Sequence, residues 1–169
     1  MKVSILGTGY VGLTTGVCLA YLGHDVTCID SDPGKVARLK QGKVPIYEPH
    51  LDELMALACE RLKFTTDYQE GIPDANVVFI AVGTPPSANG SPDLQYLRAA
   101  AKGIGETYQG DFVVVVNKST VPIGSGNWVG SIVREAFEAR HGRPSNGRFA
   151  VASNPEFLRE GTAIFDTLY

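Results

Sequence analysis

Short apolar runs alternate along the chain with longer stretches in which apolar residues recur at helical spacing. Residues 3–6 (VSIL) read as a first strand, and the small, apolar stretch 10–22 as a tightly packed helix. Residues 25–30 (DVTCID) predict a second strand. Asp32 followed by Pro33 is a helix start, a capping carboxylate before a proline at the first helical position. That helix runs to Gln41, and Gly42 stops it. Residues 43–49 read as a loop, 51–61 as a helix and 62–65 (LKFT) as a short third strand. The run 76–82 (NVVFIAV) predicts a fourth strand, 84–92 a loop rich in Pro, Gly and Ser, and 94–105 a helix. Residues 112–116 (FVVVV) form the fifth strand of the pattern. A helix beginning after Pro122 ends over 132–140, 144–147 is a turn, and 149–152 is the sixth strand.

The fourth and fifth runs are apolar almost throughout instead of alternating, as expected of parallel strands covered by helices on both faces. Six strands with interleaved helices predict an α/β, doubly wound Rossmann fold. Its sheet should be mainly parallel, in the order 3-2-1-4-5-6. Residues 1–153 are expected to form that domain.

The string GTGYVG puts Gly7, Gly9 and Gly12 in the GxGxxG register between a strand and a helix. Gly7 permits the tight turn, Gly9 lets a pyrophosphate approach the backbone, and Gly12 allows close helix packing. The N–H groups of Tyr10 and Val11 then face the phosphates at a helix N-terminus. A glycine-rich turn without a ligand is the alternative. Asp30, 18 positions after Gly12, ends the second strand, where a carboxylate accepts hydrogen bonds from the adenosine ribose. It also repels a 2′-phosphate, so NAD is expected over NADP and FAD. Lys35 and Arg38 lie close in sequence and could assist an NADP phosphate; Asp30 could instead cap the next helix, although Asp32 is better placed to do so. Two further loops leave the carboxyl ends of strands. VGTPP carries Thr84, and NKSTVP carries Lys118, Ser119 and Thr120, whose hydroxyls could meet the nicotinamide end or cap helices.

Composition narrows the partners. A formal net charge of −3 leaves no basic footprint for nucleic acid. Three cysteines without CxxC spacing are no disulfide framework, and Cys18 and Cys28 read as small buried residues. His24, His50 and His141 lack metal-ligand spacing, so no metal is expected. No signal peptide or membrane-length apolar run is visible, and a cytoplasmic location is the default.

The string SNPEFLREGTAIFD, taken with GTGYVG, PIYEP, VGTPP and NKSTVP, resembles the UDP-glucose/GDP-mannose dehydrogenase family over the whole chain. The resemblance implies a four-electron oxidoreductase, closest to the UDP-glucose-oxidising branch. In such enzymes the sugar C6 alcohol becomes a carboxylate, two NAD molecules are reduced, and a cysteine thioester is hydrolysed by water. It implies NAD contacts at Val11, Asp30, Lys35, Thr84 and Thr120. Glu156 matches an acid/base that works with a water, which Thr120 helps to position. Glu160 matches a residue at the boundary of cofactor and substrate. Residues Glu156, Phe157, Leu158, Arg159 and Glu160 match the loop along which the sugar nucleotide lies, so 154–169 are expected to begin a substrate loop and helical region. Without the family, Glu156 reads more readily as a helix N-terminal charge.

Two departures stand out: His50 follows Pro49, where the family often has Gly, and Ser125 stands where Thr is commoner. The family's nucleophilic cysteine, lysine and asparagine would fall beyond residue 169, so this chain is expected to bind NAD weakly and turn over nothing alone. The resemblance also implies a homodimer for the longer protein. GDP-mannose or UDP-N-acetyl-hexosamine oxidation, or a non-catalytic NAD-binding module, are the alternatives.

Overall fold

The computed structural model describes residues 1–87 and 90–169; Ala88 and Asn89, within the loop expected over 84–92, lie outside the described residues. Six parallel strands form one sheet: β1 (Lys2–Leu6), β2 (Asp25–Ile29), β3 (Leu62–Thr65), β4 (Val77–Ile80), β5 (Val113–Asn117) and β6 (Phe149–Ser153). Their order is β3-β2-β1-β4-β5-β6, as expected from the sequence. The connecting helices are α1 (Tyr10–Tyr21), α2 (Pro33–Lys40), α3 (Leu51–Leu57), α4 (Gln95–Thr107) and α5 (Ser125–His141). A further helix, α6 (Ala163–Leu168), follows β6 and packs on α1.

Strand residues alternate between two cores. Val3, Ile5, Val26 and Cys28 meet Leu13 and Val17 of α1, Leu39 of α2 and Leu51 of α3. Leu6, Ile29, Val78, Ile80 and Val115 meet Leu97 and Ile104 of α4 and Val133 and Phe137 of α5. Helices α1, α2 and α3 therefore cover one face of the sheet, with α6 returning to pack on α1, and α4 and α5 cover the other. Helix α2 starts as the sequence indicates, with the Asp32 carboxylate accepting the Lys35 amide at 3.0 Å and Pro33 at the first position.

Several boundaries differ from the sequence expectation. The helix expected over 51–61 ends at Leu57 and continues as a 3₁₀ turn, Cys59–Arg61, that feeds β3 directly. The ladder of β4 stops at Ile80, because Ala81 and Val82 turn aside to wall the glycine-rich turn; the Ala81 amide still reaches the Leu6 carbonyl at 2.8 Å. Neither the 3₁₀ turn Tyr68–Glu70 nor α6 is signalled by apolar spacing. No helix among the described residues is long and apolar enough to cross a membrane.

Candidate functional site: a dinucleotide crevice

At the carboxyl edge of β1 the chain bends through Gly7, whose φ of +97° suits glycine, and whose amide bonds the Ile29 carbonyl at 2.8 Å. A Cβ on Gly7 would come within 2.6 Å of the Ala81 carbonyl oxygen. Gly9 is the residue before α1, with no side chain capping the helix. Its own Cβ would meet nothing within 4 Å, so the surface over the first helical amides is open. Those amides, from Tyr10 and Val11 onward, have no partner within the helix. Gly12 lets α1 press on the strand ends, as its register suggests: a Cβ there would lie 2.0 Å from the Gly7 carbonyl oxygen and 3.2 Å from Ala81 Cβ. One turn on, Gly16 extends the close approach of helix to sheet, since a Cβ there would lie 2.7 Å from Cys28 Sγ.

Asp30 directly follows β2 beside this turn and is buried. Its Oδ2 accepts the Thr8 amide at 2.8 Å, the Thr8 hydroxyl at 2.6 Å and Lys35 Nζ at 3.0 Å, and its Oδ1 accepts the Asp32 amide at 3.0 Å. Burial alone would raise the Asp30 pKa, but the bonds from Thr8, Asp32 and Lys35 outweigh it and hold the carboxyl below its usual value. The acid is thus an ionised acceptor at neutral pH, and the cap of α2 is left to Asp32.

Two clefts flank the turn and share Gly9, Ala81, Val82 and Gly83. One, about 320 Å³, is lined by Gly7, Ile29, Asp30, Lys35 and the rings of Tyr68 and Tyr96. The other, about 280 Å³, is lined by Tyr10, Val11, Thr84, Lys118, Thr120 and Glu156. A pyrophosphate bridging them would lie over Gly9 with a nucleoside on either side. Two larger grooves lie elsewhere, behind β3 at Leu39 and Met55 and near the amino ends of the strands at Lys2 and Asp74. Neither reaches the carboxyl edge of the sheet, where this fold places ligands.

In the second cleft the Thr84 hydroxyl donates to the Thr120 carbonyl at 2.9 Å, tying the loop after β4 to the loop after β5. Ser119 is buried and spends its hydroxyl on the Val82 carbonyl at 2.7 Å. Lys118 is buried too, bonds Asn154 Oδ1 at 3.0 Å and sits 5.8 Å from the centre of the Phe157 ring. Burial lowers its pKa, opposed by the nearby Glu156 charge. Glu156 is half-buried, and one of its carboxylate oxygens accepts the Leu158 amide. Of the five residues expected along a substrate loop, Glu156 alone lines the cleft. Arg159 turns out to an ion pair with Asp166 at 2.5 Å, and Glu160 is exposed.

Sequence reasoning missed Thr8, which orients Asp30, and gave no role to Lys118, whose burial at a strand end has no periodic signature. It also missed Glu48, a buried carboxylate from the PIYEP string. Cys18 and Cys28 are buried, with burial pushing their thiols up to about 11 and about 12. Cys59 is exposed on the 3₁₀ turn before β3, away from both clefts.

The residues present fit a dinucleotide: an open glycine beneath the phosphates, unpaired amides, an ionised carboxylate and two flanking clefts. The sequence model for the UDP-glucose/GDP-mannose dehydrogenase family, NAD binding domain, matches residues 1–169. The chain belongs to that family. It is 49% identical to UDP-glucose 6-dehydrogenase TuaD of Bacillus subtilis, over 99% of this chain and 35% of that protein. It is 51% identical to UDP-glucose 6-dehydrogenase of Rhizobium meliloti, over 98% of this chain and 37% of that protein. Among solved structures it superposes on a UDP-glucose dehydrogenase from Pyrobaculum islandicum with a TM-score of 0.87 and 43% identity, covering 97% of this chain and 38% of that one. A ternary complex of GDP-mannose dehydrogenase from Pseudomonas aeruginosa gives 0.86 and 39%, covering 98% and 38%. The chain therefore spans a little over a third of the length of the relatives it matches, and that third is the family's NAD-binding domain.

Proposed function

We propose that this chain is the cofactor half of a UDP-glucose 6-dehydrogenase, with the dinucleotide domain in 1–153 and the start of the substrate loop in 154–169. The observation that carries the reading is the meeting of Glu156, Lys118 and Thr120 in the cleft that also exposes the Tyr10 and Val11 end of the glycine-rich turn. Bound NAD would accept hydride at its nicotinamide. The adenosine would lie in the cleft of Asp30 and Lys35, and the nicotinamide in the cleft of Thr84 and Thr120. Gly7, Gly9 and Gly12 shape the turn beneath the phosphates. Glu156, which lines this cleft together with Thr120 and gives one carboxylate oxygen to the Leu158 amide, would orient a water and act on it as base, with Thr120 helping to position it. Phe157, Leu158, Arg159 and Glu160 carry the backbone along which UDP-glucose lies. The names of the relatives support UDP-glucose over GDP-mannose as substrate. In this reading the longer protein supplies the nucleophile and the dimer contact, and the 169-residue chain alone binds NAD without turnover.

Calorimetric titration of the chain with NAD, NADP and UDP-glucose tests this. NAD should bind more tightly than NADP, and Asp30→Ala should lose most of that preference. Equal binding of NADP, or NAD binding unaffected by Asp30→Ala, would sink the assignment of Asp30 to the ribose. Steady NADH formation by the chain with UDP-glucose would contradict its inactivity.

A further inference from the structure

Glu48 lines neither cleft, yet it is 5% exposed and its carboxylate gathers donors from two distant parts of the chain. Oε2 accepts the Tyr10 hydroxyl at 2.6 Å and the Gly161 amide at 2.8 Å. Oε1 accepts the Ala163 amide at 2.8 Å and, at 3.5 Å, the Ile164 amide. Tyr10 is the first residue of α1 and lines the cleft of Glu156; its hydroxyl also lies 3.4 Å from the Arg159 carbonyl. One buried anion thus joins the phosphate-binding turn to the segment that follows Glu156. Glu160 adds a further negative charge near Tyr10. Burial pushes Glu48 up, but the donors around it outweigh that, and Tyr10 is raised to about 12 by burial and by Glu48. The pair is a phenol donating to a carboxylate throughout the neutral range.

We propose that Glu48 is a positioning residue that clamps segment 159–164 onto the first turn of α1, so that cofactor binding at the turn and docking of the sugar-nucleotide segment stabilise each other. The proposal rests on the function assigned above. An ionised carboxylate is required because all its partners are donors. Glutamine offers one oxygen where two are used, and its NH₂ would face either the Gly161 amide or the Ala163 and Ile164 amides. By linkage, whatever NAD adds to docking of the segment, docking adds to NAD affinity.

Hydrogen exchange at the Gly161, Ala163 and Ile164 amides of the full chain, with and without NAD, tests it. Loss of hydrogen bonds to a buried charge should speed exchange there about ten- to hundredfold in Glu48→Gln, with the amides of β1 and β4 unchanged. In the wild type, saturating NAD should slow exchange at the three amides, and in Tyr10→Phe, which removes the bond joining Glu48 to α1, the ratio of rates with and without NAD should return to one. Glu48→Gln rates within twofold of wild type, or sheet amides that open together with the segment, would overturn the clamp. Equal NAD-dependent slowing in Tyr10→Phe, or none in wild-type chain that calorimetry shows to be NAD-bound, would overturn the coupling. The clamp is read without nucleotide, so its failure is distinguishable from a failure of the wild-type chain to bind NAD.

Discussion

Gly9 and Gly12 lie three positions apart in one motif, yet alanine should act on them in opposite ways. At Gly12 the added Cβ would stand 2.0 Å from the Gly7 carbonyl oxygen and 3.2 Å from Ala81 Cβ. Relief needs the carbonyl to retreat by about 1 Å or more, toward the ordinary range of van der Waals contact. It cannot do so freely, because the Gly7 amide is held by Ile29 at 2.8 Å and its α-carbon side abuts the Ala81 carbonyl. Such overpacking costs about 1–3 kcal/mol, against a gain of up to about 1 kcal/mol from helix propensity. A net loss of about 2 kcal/mol lowers Tm by roughly 4–8 °C in a chain of this size. At Gly9 the backbone already sits at φ −71° and ψ −171°, open to any residue, and the Cβ meets nothing. A small loss of capping preference and a small gain in unfolded-state entropy nearly cancel, at about 0.5 kcal/mol each. Gly9→Ala should therefore melt within about 2 °C of wild type yet bind NAD at least about tenfold more weakly, a loss of roughly 1.4 kcal/mol. Thermal unfolding and calorimetry on the same samples separate the two. Equal destabilisation by both substitutions, or wild-type NAD affinity in Gly9→Ala, would refute the division of labour.

Acid should weaken the fold through two carboxylates. Asp30 and Glu48 are both held below their ordinary values, so their contribution is complete above about pH 5 and is lost as pH falls through the folded-state values. The urea midpoint should fall on acidification, and Asp30→Asn should flatten that slope; an unchanged slope counts against the charge assignment. Native thiol titration should find Cys59 alone reactive, with Cys18 and Cys28 appearing only on unfolding. Rapid native labelling of Cys28 would contradict its place beneath Gly16.

The sheet and its order were readable because the central strands are covered on both faces, which leaves runs such as VVFI and VVVV with little polar interruption. The glycine register and Asp30 were readable because their spacing is local. Contacts that join remote segments left no local pattern. Helix α6 has no capping side chain of its own, and its first amides are held by a residue 115 positions earlier. Thr8 falls inside the glycine motif at a place the motif leaves blank. Lys118 resembles any lysine at a strand end until its burial beside Asn154 is seen. The close approach at Gly16 was not legible because periodicity reports which face a residue occupies and not which atom it nearly touches.

Helices α1–α3 lie on one side of the sheet and α4 and α5 on the other, so the connections that leave the neighbouring strands β1 and β4 diverge past the carboxyl edge. The crevice is opened by the direction of those connections, with the glycine turn keeping its floor clear. Its rim can therefore accumulate substitutions that retune ligand choice without thinning the packing beneath, which makes this edge of the sheet the place where one scaffold can diverge toward different nucleotide partners.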